Sequence, residues 1–376
     1  MASSQRLLDV IEYVEEDPRV QVVFTVAPDV FNRGVAEYLE SLGALLLPWQ
    51  QAINHHFDLA VTASYGGLHQ VHAPLVVMAH GAGHGKAVRP PERCGPLSRE
   101  AAVYGLDAQR LTRDGRVLAA AVVLCHDDEL DTLRRQCPEA VPAALVAGDP
   151  CYDRLVASLP LRRQYRRAFG IDDRMQLVVV GSTWGPGGLF GRLPDLLSIV
   201  MEQLPADRFR VAALLHPAVW GAHGHRQIRA WLRGCLQAGL VLPDPAQDWR
   251  ALVVAADYVI GDNGSVTTYA AALGRPVLVD QSASVTVPGS PQHTVLTSAA
   301  RLRPDLPVLP QLRQAPPIDY HAVRSALTSR PDAAASLLRR RMYELLQLAE
   351  PGRHRSASAV EVPRLTRPPI DPQGAR

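Results

Sequence analysis

Residues 256–280 read ADYVIGDNGSVTTYAAALGRPVLVD, and this stretch decides the fold class. The apolar run Tyr258–Ile260 predicts a short strand, and the glycines and polar residues at 261–264 predict a sharp turn. Residues 268–273 are compatible with a helix, and the apolar run at 276–279 predicts a second buried strand. The stretch therefore predicts a strand–helix–strand unit of a parallel α/β sheet.

The turn before this helix has the composition of an anion site. Ser265 is expected to be the N-cap of the helix, and Gly274 is expected to end it. Free N–H groups and the positive helix end would then face small side chains, which is where phosphate commonly binds. An ordinary turn that binds no ligand remains the alternative interpretation.

Length and composition indicate a globular protein of two domains. The chain has 376 residues, of which 47% are apolar and 20% charged, and its formal net charge is +2. A charge so close to zero argues against a nucleic-acid-binding surface. Lys86 is the only lysine, so nearly all positive charge comes from arginine.

The cysteines and the N-terminal residues predict a cytoplasmic location. Five scattered cysteines contain no CxxC pair, which fits neither a disulfide framework nor a zinc ribbon. Charged residues occur from Arg6 onward, so no apolar signal core is present, and no uncharged apolar run is long enough to span a membrane.

Strands and helices of ordinary length alternate along most of the chain, which predicts parallel βαβ winding. We predict an N-terminal Rossmann-like domain over 1–170, a C-terminal one over 171–350, and a disordered tail over 351–376 that is rich in Pro, Arg and Ser. The basic stretch Tyr152–Phe169 predicts a long amphipathic helix, bent or broken at Pro160. Such a helix is usually a solvated face, and peripheral contact with a membrane is the alternative.

Four polar loops follow predicted strands. In a parallel α/β sheet, ligands bind beyond the carboxyl ends of the strands, so two facing halves would place these loops around one cleft. The loops are His80–Lys86, Thr183–Gly188, the residues at His216, and Asp262–Ser265.

The first of these loops, HGAGHGK, is the candidate catalytic loop. His80 is a candidate general base, and Lys86 is a candidate point charge for phosphate. Gly81 and Gly83 allow close approach of the backbone to a ligand, and His84 is expected in the same cleft. A turn in which His80 only caps a strand is the alternative.

Zinc is the metal to consider, because His72, His80 and His84 cluster in the sequence. No HExxH motif and no fixed Cys/His spacing supports a zinc site, so we predict neither a metal nor a cofactor.

Two further residues carry possible ligand contacts. His216 follows a predicted buried strand and is a candidate phosphate ligand, with a satisfied core histidine as the alternative. Trp184 could stack on a base or simply pack against neighbours. The chain contains no Walker P-loop and no GxSxG elbow.

Taken together, these loops resemble those of the CDP-glycerol glycerophosphotransferase family of teichoic-acid polymerases and primases, which has the GT-B fold. The order and approximate spacing agree across residues 58–280. The matching segments are a His-x-x-Gly-x-x-Lys-like stretch with His80, Gly83 and Lys86; Gly148–Asp153; Gly181–Trp184; Leu215–Pro217; Gly261–Val266; and Ala272–Val277.

The resemblance implies two facing Rossmann-type domains with parallel sheets and an interdomain cleft, and it implies the roles of the site residues. His80 would be the base that acts on the acceptor, His216 would bind donor phosphate, and Ser265 with nearby N–H groups would lie at the diphosphate. We further predict that Lys86 shares the stabilisation of the departing phosphate, and that the donor-binding residues are Thr183, Trp184, Asp262, Asn263, Gly264, Ser265 and Val266.

The sequence departs from the family pattern at the phosphate turn, where Gly264 replaces a serine and Asn263 a tyrosine. Gly185 stands where the family has an arginine. The turn also resembles that of UDP-N-acetylglucosamine 2-epimerases, although the acidic catalytic residues of those enzymes are not apparent.

We therefore predict a metal-independent transferase that moves a glycosyl or polyol-phosphate group from a nucleotide-diphosphate donor to a hydroxyl acceptor. A nucleotide-sugar isomerase and a catalytically inactive nucleotide-binding protein are the alternatives. No nucleic-acid partner is expected.

Overall fold

The computed structural model describes residues 2–28, 32–88, 101–280, 286–316, 318–352 and 356–363. In these residues the strands are β1 (Ala60–Thr62), β2 (Leu75–Met78), β3 (Thr112–Arg113), β4 (Arg116–Val117), β5 (Ala121–Leu124), β6 (Ala144–Val146), β7 (Gln176–Ser182), β8 (Phe209–Leu215), β9 (Tyr258–Gly261), β10 (Val277–Val279) and β11 (Ala300–Arg301).

The strands form two parallel sheets and one small antiparallel pair. The first sheet has the order β1-β2-β5-β6, and the second has the order β11-β10-β9-β7-β8. The antiparallel pair is β3 with β4. The predicted α/β fold with parallel sheets is confirmed.

Helices connect these strands. They are α1 (Ala2–Ile11), α2 (Val35–Ser41), α3 (Trp49–Ala52), α4 (Ala108–Leu111), α5 (Asp127–Gln136), α6 (Pro150–Ser158), α7 (Arg162–Ala168), α8 (Leu189–Arg192), α9 (Leu196–Gln203), α10 (Pro217–His223), α11 (His225–Trp231), α12 (Arg233–Gln237), α13 (Arg250–Ala255), α14 (Ser265–Ala272), α15 (Pro291–Ser298), α16 (Val308–Gln314), α17 (Tyr320–Leu327) and α18 (Ala334–Leu346), with 3₁₀ turns at Leu68–Gln70, Pro138–Ala143 and Leu159–Leu161.

Both faces of each sheet are buried, which explains why the strand sequences are almost continuously apolar. In β7, Leu177 and Val179 pack into one core, whereas Val178 and Val180 pack into the core on the opposite face. Side chains alternate between the faces of a strand, so a sheet covered by helices on both sides needs apolar residues at every position.

The unit at residues 256–280 forms as predicted, as β9, α14 and β10, and Gly274 follows the helix with φ +73°. The prediction that Ser265 is the N-cap is wrong: Gly264 precedes the first helical residue, and within the described ranges no side chain caps the helix. The reason is that the Ser265 hydroxyl accepts a hydrogen bond from Ala82 N–H in the other half of the molecule, at 3.1 Å.

The last helix packs on the first sheet. In α18, Leu338 and Met342 share a core with Val10 of α1 and Val76 of β2. The division of the chain at residues 170 and 350 stays a prediction, and this packing shows that α18 contributes its apolar face to the N-terminal half. The stretch predicted to be disordered is described at residues 351, 352 and 356–363. Within it, the side chain of Val360 is buried, with 1% of its surface exposed.

The basic helix is interrupted where Pro160 predicts it, because a 3₁₀ turn separates α6 from α7. Arg166 is buried and pairs with Asp257 at 2.8 Å. None of the helices in the described ranges combines the length and the apolarity that crossing a membrane requires. Peripheral membrane contact stays a prediction.

The packing of α18 predicts that Leu338→Ala will destabilise the N-terminal half. Leu338 is completely buried, so its truncation should lower the free energy of unfolding by about 2–5 kcal/mol. Leu306→Ala, at a side chain that is 44% exposed, is the control and should change stability by less than about 0.5 kcal/mol. Urea denaturation measures both, and equal effects would contradict the packing.

Candidate active site

A cleft lies at the carboxyl ends of the strands of both sheets, with an empty volume of about 1600 Å³ that includes space open to solvent. The loop after β2 enters it from the first sheet, and the loops after β7, β8 and β9 enter it from the second. All the site residues predicted from the sequence line this cleft: His80, Gly81, Gly83, His84, Lys86, Thr183, Trp184, His216, Asp262, Asn263, Gly264, Ser265 and Val266.

Hydrogen bonds join the loop after β2 to the second half of the molecule. Ala82 N–H donates to Ser265 Oγ at 3.1 Å, and the carbonyl of Ala82 accepts from Gln292 Nε2 at 2.7 Å. Val287 N–H donates to the carbonyl of Gly85 at 3.0 Å. A Cβ at Gly81 would lie 2.5 Å from Ser265 Oγ, so the close approach of the loops requires glycine there.

Asp262 holds together the turn before α14, which was predicted from the sequence to bind phosphate. Its Oδ2 accepts from Thr183 N–H at 2.8 Å, from the Thr183 hydroxyl at 2.7 Å and from Leu189 N–H at 3.0 Å, and its Oδ1 accepts from Gly264 N–H at 3.0 Å. These bonds engage the carboxylate with the protein itself. They also hold the loop after β7 against the loop after β9.

The same packing explains the glycine at 264, where the resemblance leads one to expect serine. A Cβ at Gly264 would lie 2.9 Å from Thr183 Cγ2 and 3.1 Å from Asp262 Oδ1. A larger residue would therefore separate the two loops that Asp262 joins.

The imidazole of His80 lies in the cleft in its neutral form. Burial lowers the pKa of His80 to about 4, with smaller contributions from the charges of Lys86 and Arg6. The backbone of Ala63 acts in the opposite direction and favours the protonated ring. A neutral imidazole has one donor nitrogen and one acceptor nitrogen, so the His80 ring can accept a proton near pH 7.

The ring of His216 is held by a backbone hydrogen bond. Its Nδ1 accepts from Ala218 N–H at 3.1 Å and so caps α10. Burial and then the charge of Lys86 lower its pKa to about 3, so the ring is neutral near pH 7. Because Nδ1 is an acceptor, the proton of the neutral ring is on Nε2, which is a hydrogen-bond donor.

Positive groups line the same cleft as these two rings. The N–H groups of residues 265–267 begin α14, where backbone donors have no partner within a helix. In the described part of the chain, no ion pair involves Lys86. Desolvation lowers the pKa of its ammonium group, and Asp262 opposes this shift.

His84 is held in place by hydrogen bonds to other protein groups. Its Nδ1 lies 3.1 Å from Glu129 Oε2, its Nε2 lies 3.2 Å from the Tyr65 hydroxyl, and its backbone N–H donates to Glu129 Oε1 at 2.6 Å. Burial raises the pKa of Glu129, but His84 and two backbone N–H donors outweigh it and leave the pKa below the ordinary value. Both ring nitrogens are thus engaged.

Several cleft residues were not predicted from the sequence, namely Arg6, Trp249, Tyr269 and Gln292. Tyr269 lies within the predicted helical stretch 268–273, and no local motif signals a site at Arg6 or at Tyr269. Across the described ranges, no group of three or more His, Cys, Asp or Glu side chains is arranged to hold a metal ion.

The lowered pKa values predict a loss of stability in acid. Each histidine has a lower pKa in the folded chain than its ordinary 6.5, so its contribution to stability is complete above about pH 6.5. The contribution is lost as pH falls towards 4 for His80 and towards 3 for His216. The substitution His216→Asn keeps an acceptor for the Ala218 N–H. We expect it to reduce the slope of the free energy of unfolding against pH by about 1 kcal/mol per pH unit.

Urea denaturation of wild type and His216→Asn between about pH 7 and about pH 4 measures this difference. A substitution at the exposed residue His69 is the control and should leave the slope unchanged. Parallel stability curves for wild type and His216→Asn would contradict the assigned environment.

No family model matches the chain, and no curated protein matches it either. Solved structures do resemble it. A variant of the wall teichoic acid polymerase TagF soaked with CDPG gives a TM-score of 0.56 at 12% identity, with 91% of this chain and 85% of that chain covered. MnaA of S. aureus in complex with UDP gives a TM-score of 0.51 at 10% identity, with 96% and 97% covered. At these identities the likeness establishes the fold: the chain has the GT-B-like α/β architecture expected from its sequence.

Proposed function

We propose that this protein is a GT-B transferase that moves a glycosyl or polyol-phosphate group from a nucleotide-diphosphate donor to a hydroxyl acceptor, without a metal. We place the activity in the cytoplasm, which the free cysteines Cys125, Cys137, Cys151 and Cys235 support. A CDP-glycerol-like donor is the first to test, because the sequence resembles that family and the TagF structure was soaked with CDPG.

One contact carries the proposal. Ser265 Oγ, in the first turn of α14, accepts from Ala82 N–H at 3.1 Å, and Ala82 follows His80 by two residues. A candidate base from one half and an anion-binding helix end from the other therefore face one cleft. Inverting displacement needs a base near the acceptor and positive groups near the departing phosphate.

The diphosphate of the donor would bind at the start of α14. The N–H groups of residues 265–267 and the Ser265 hydroxyl would donate to its oxygens, and His216 would donate through Nε2. Lys86 would add a full positive charge. Because these donors are in place before the reaction, charge that develops on the leaving phosphate would be stabilised without rearrangement.

His80 would take the proton from the acceptor hydroxyl. The neutral ring has an acceptor nitrogen that would receive this proton. A pKa of about 4 makes His80 a weak base before a donor binds. The negative diphosphate would raise that pKa, so the base would strengthen when the donor binds.

The remaining predicted donor-binding residues have separable tasks. Thr183 and Asp262 would hold the turn, since the Thr183 hydroxyl and the Asp262 carboxylate bond to each other. Trp184 is 47% exposed and lines the cleft, where it would cover the nucleotide. Asn263 and Val266 would complete the wall.

A screen of ligands combined with His80→Ala tests the proposal. CDP-, UDP-, GDP- and dTDP-linked donors should raise the melting temperature, and one of them should be turned over with a hydroxyl acceptor. His80→Ala should then reduce turnover by about 10²–10⁴-fold, because a general base is lost, while donor affinity changes little. His69→Ala, at an exposed histidine, is the control.

The alternatives give different results. Full activity of the His80→Ala variant would show that His80 is not the general base. Conversion of UDP-N-acetylglucosamine without an acceptor, followed by NMR of the sugar, would show an isomerase. Donor binding without any turnover would show an inactive nucleotide-binding protein.

A further inference from the structure

A buried arginine from the first helix reaches the loop that carries His80. Arg6 is 5% exposed and lies in α1, where it lines the cleft. One of its terminal nitrogens, NH2, donates to the carbonyl of Gly81 at 2.6 Å and bonds the Tyr269 hydroxyl at 2.9 Å. The other, NH1, donates to Asp149 Oδ1 at 2.9 Å.

The partners of Arg6 are themselves fixed. Asp149 is completely buried and caps α6, because its Oδ1 accepts from the N–H groups of Cys151 and Tyr152. The Tyr269 hydroxyl donates to Asp149 Oδ2 at 2.8 Å. The guanidinium thus joins α1, the start of α6, the loop after β2 and α14.

We propose that Arg6 is a positioning residue: by holding the carbonyl of Gly81, it fixes the His80 imidazole relative to the first turn of α14. This inference rests on the proposed function for its consequence in catalysis. The geometry itself is independent of which donor or acceptor is used.

Two observations separate this role from that of a buried ion pair alone. Neutralising Asp149 requires no contact with Gly81, yet the bond to the Gly81 carbonyl is among the shortest that Arg6 makes. In addition, Tyr269 belongs to the helix whose first turn would receive the diphosphate. Arg6 therefore connects the two parts of the site that must stay in register.

Arginine suits this position better than lysine. A guanidinium presents five N–H donors in a rigid plane, so it can bond to a carboxylate, a phenol and a carbonyl together. A lysine ammonium has three donors on a flexible stem and would keep the charge while losing the fixed geometry. The charge has its own effect, since Arg6 contributes after burial and Lys86 to the low pKa of His80.

Arg6→Lys tests position while keeping the charge. Without the rigid plane, the loop should loosen, and the Ala82 amide should exchange with solvent about 10-fold faster or more, as measured by NMR hydrogen exchange. The pKa of the His80 ring, measured by NMR of histidine-labelled protein and assigned with His80→Gln, should stay near 4. Turnover should fall by about 10- to 100-fold with donor affinity unchanged.

The double variant Arg6→Met/Asp149→Asn tests the charge. It removes both members of the buried pair, so no unpaired charge is left in the core, and the asparagine keeps an acceptor for the cap of α6. The pKa of His80 should then rise by a fraction of its total shift, because the charge of Arg6 is removed while burial, the largest cause, and the charge of Lys86 remain. This second variant also provides a readout if Arg6→Lys does not fold.

Arg154→Lys is the matched control. Arg154 also bonds to α1, through Asp9 at 3.3 Å and Glu12 at 3.0 Å, but it makes no contact with the loop after β2 in the described structure. It should alter stability without changing exchange of the Ala82 amide or the pKa of His80.

The positioning role would be overturned if the Ala82 amide of Arg6→Lys exchanged with solvent at the wild-type rate. It would also be overturned if Arg154→Lys accelerated this exchange as much as Arg6→Lys does. An unchanged pKa of His80 in the double variant would overturn the contribution of the charge. Failure of the proposed function appears differently, as absence of turnover by the wild-type protein, and the exchange and pKa measurements then still decide the role of Arg6.

Discussion

The hydrogen bond between Ala82 N–H and Ser265 Oγ is the interaction on which the rest of the site depends. It joins a loop of the first sheet to the first turn of a helix of the second, at 3.1 Å. Its requirements explain local sequence choices: Gly81 must lack a side chain, and Ser265 must be inside the helix instead of capping it. Because no side chain among the described residues caps α14, its first N–H groups remain available to a ligand.

The two cleft histidines differ in their backbone partners. Ala218 N–H donates to His216 Nδ1 and leaves Nε2 of the neutral ring as a donor, whereas the backbone of Ala63 favours the protonated form of His80. Both rings have lowered pKa values because partial burial disfavours their charged forms and the charge of Lys86 adds to this effect. In the proposed reaction, the neutral rings would take different tasks, proton acceptance by His80 and phosphate binding by His216.

The sequence predicted much of the fold because parallel strands have a strong local pattern. The apolar runs before His80, His216 and Asp262 each became a buried strand, and strand ends necessarily bring polar loops to one edge of a sheet. The resemblance of the loop motifs to the GT-B family then predicted that the two sheets would face one another.

What the sequence could not predict depends on contacts between distant segments. The bond of Ser265 to Ala82 spans 183 positions, and Arg6 reaches Tyr269 across 263. Neither has a local signature, so a serine before a helix was predicted to be a cap and α1 was given no role. The packing of α18 on the first sheet was missed for the same reason, since its amphipathic pattern indicates burial but not the surface that buries it.

A crystal structure of the protein with a bound nucleotide-diphosphate donor, beginning with CDP-glycerol, would test most directly where the diphosphate binds. Its oxygens should lie within hydrogen-bond distance of the N–H groups of residues 265–267 and of His216 Nε2, with the His80 ring facing the transferred group. A donor bound outside this cleft, or with its diphosphate away from the start of α14, would contradict this prediction.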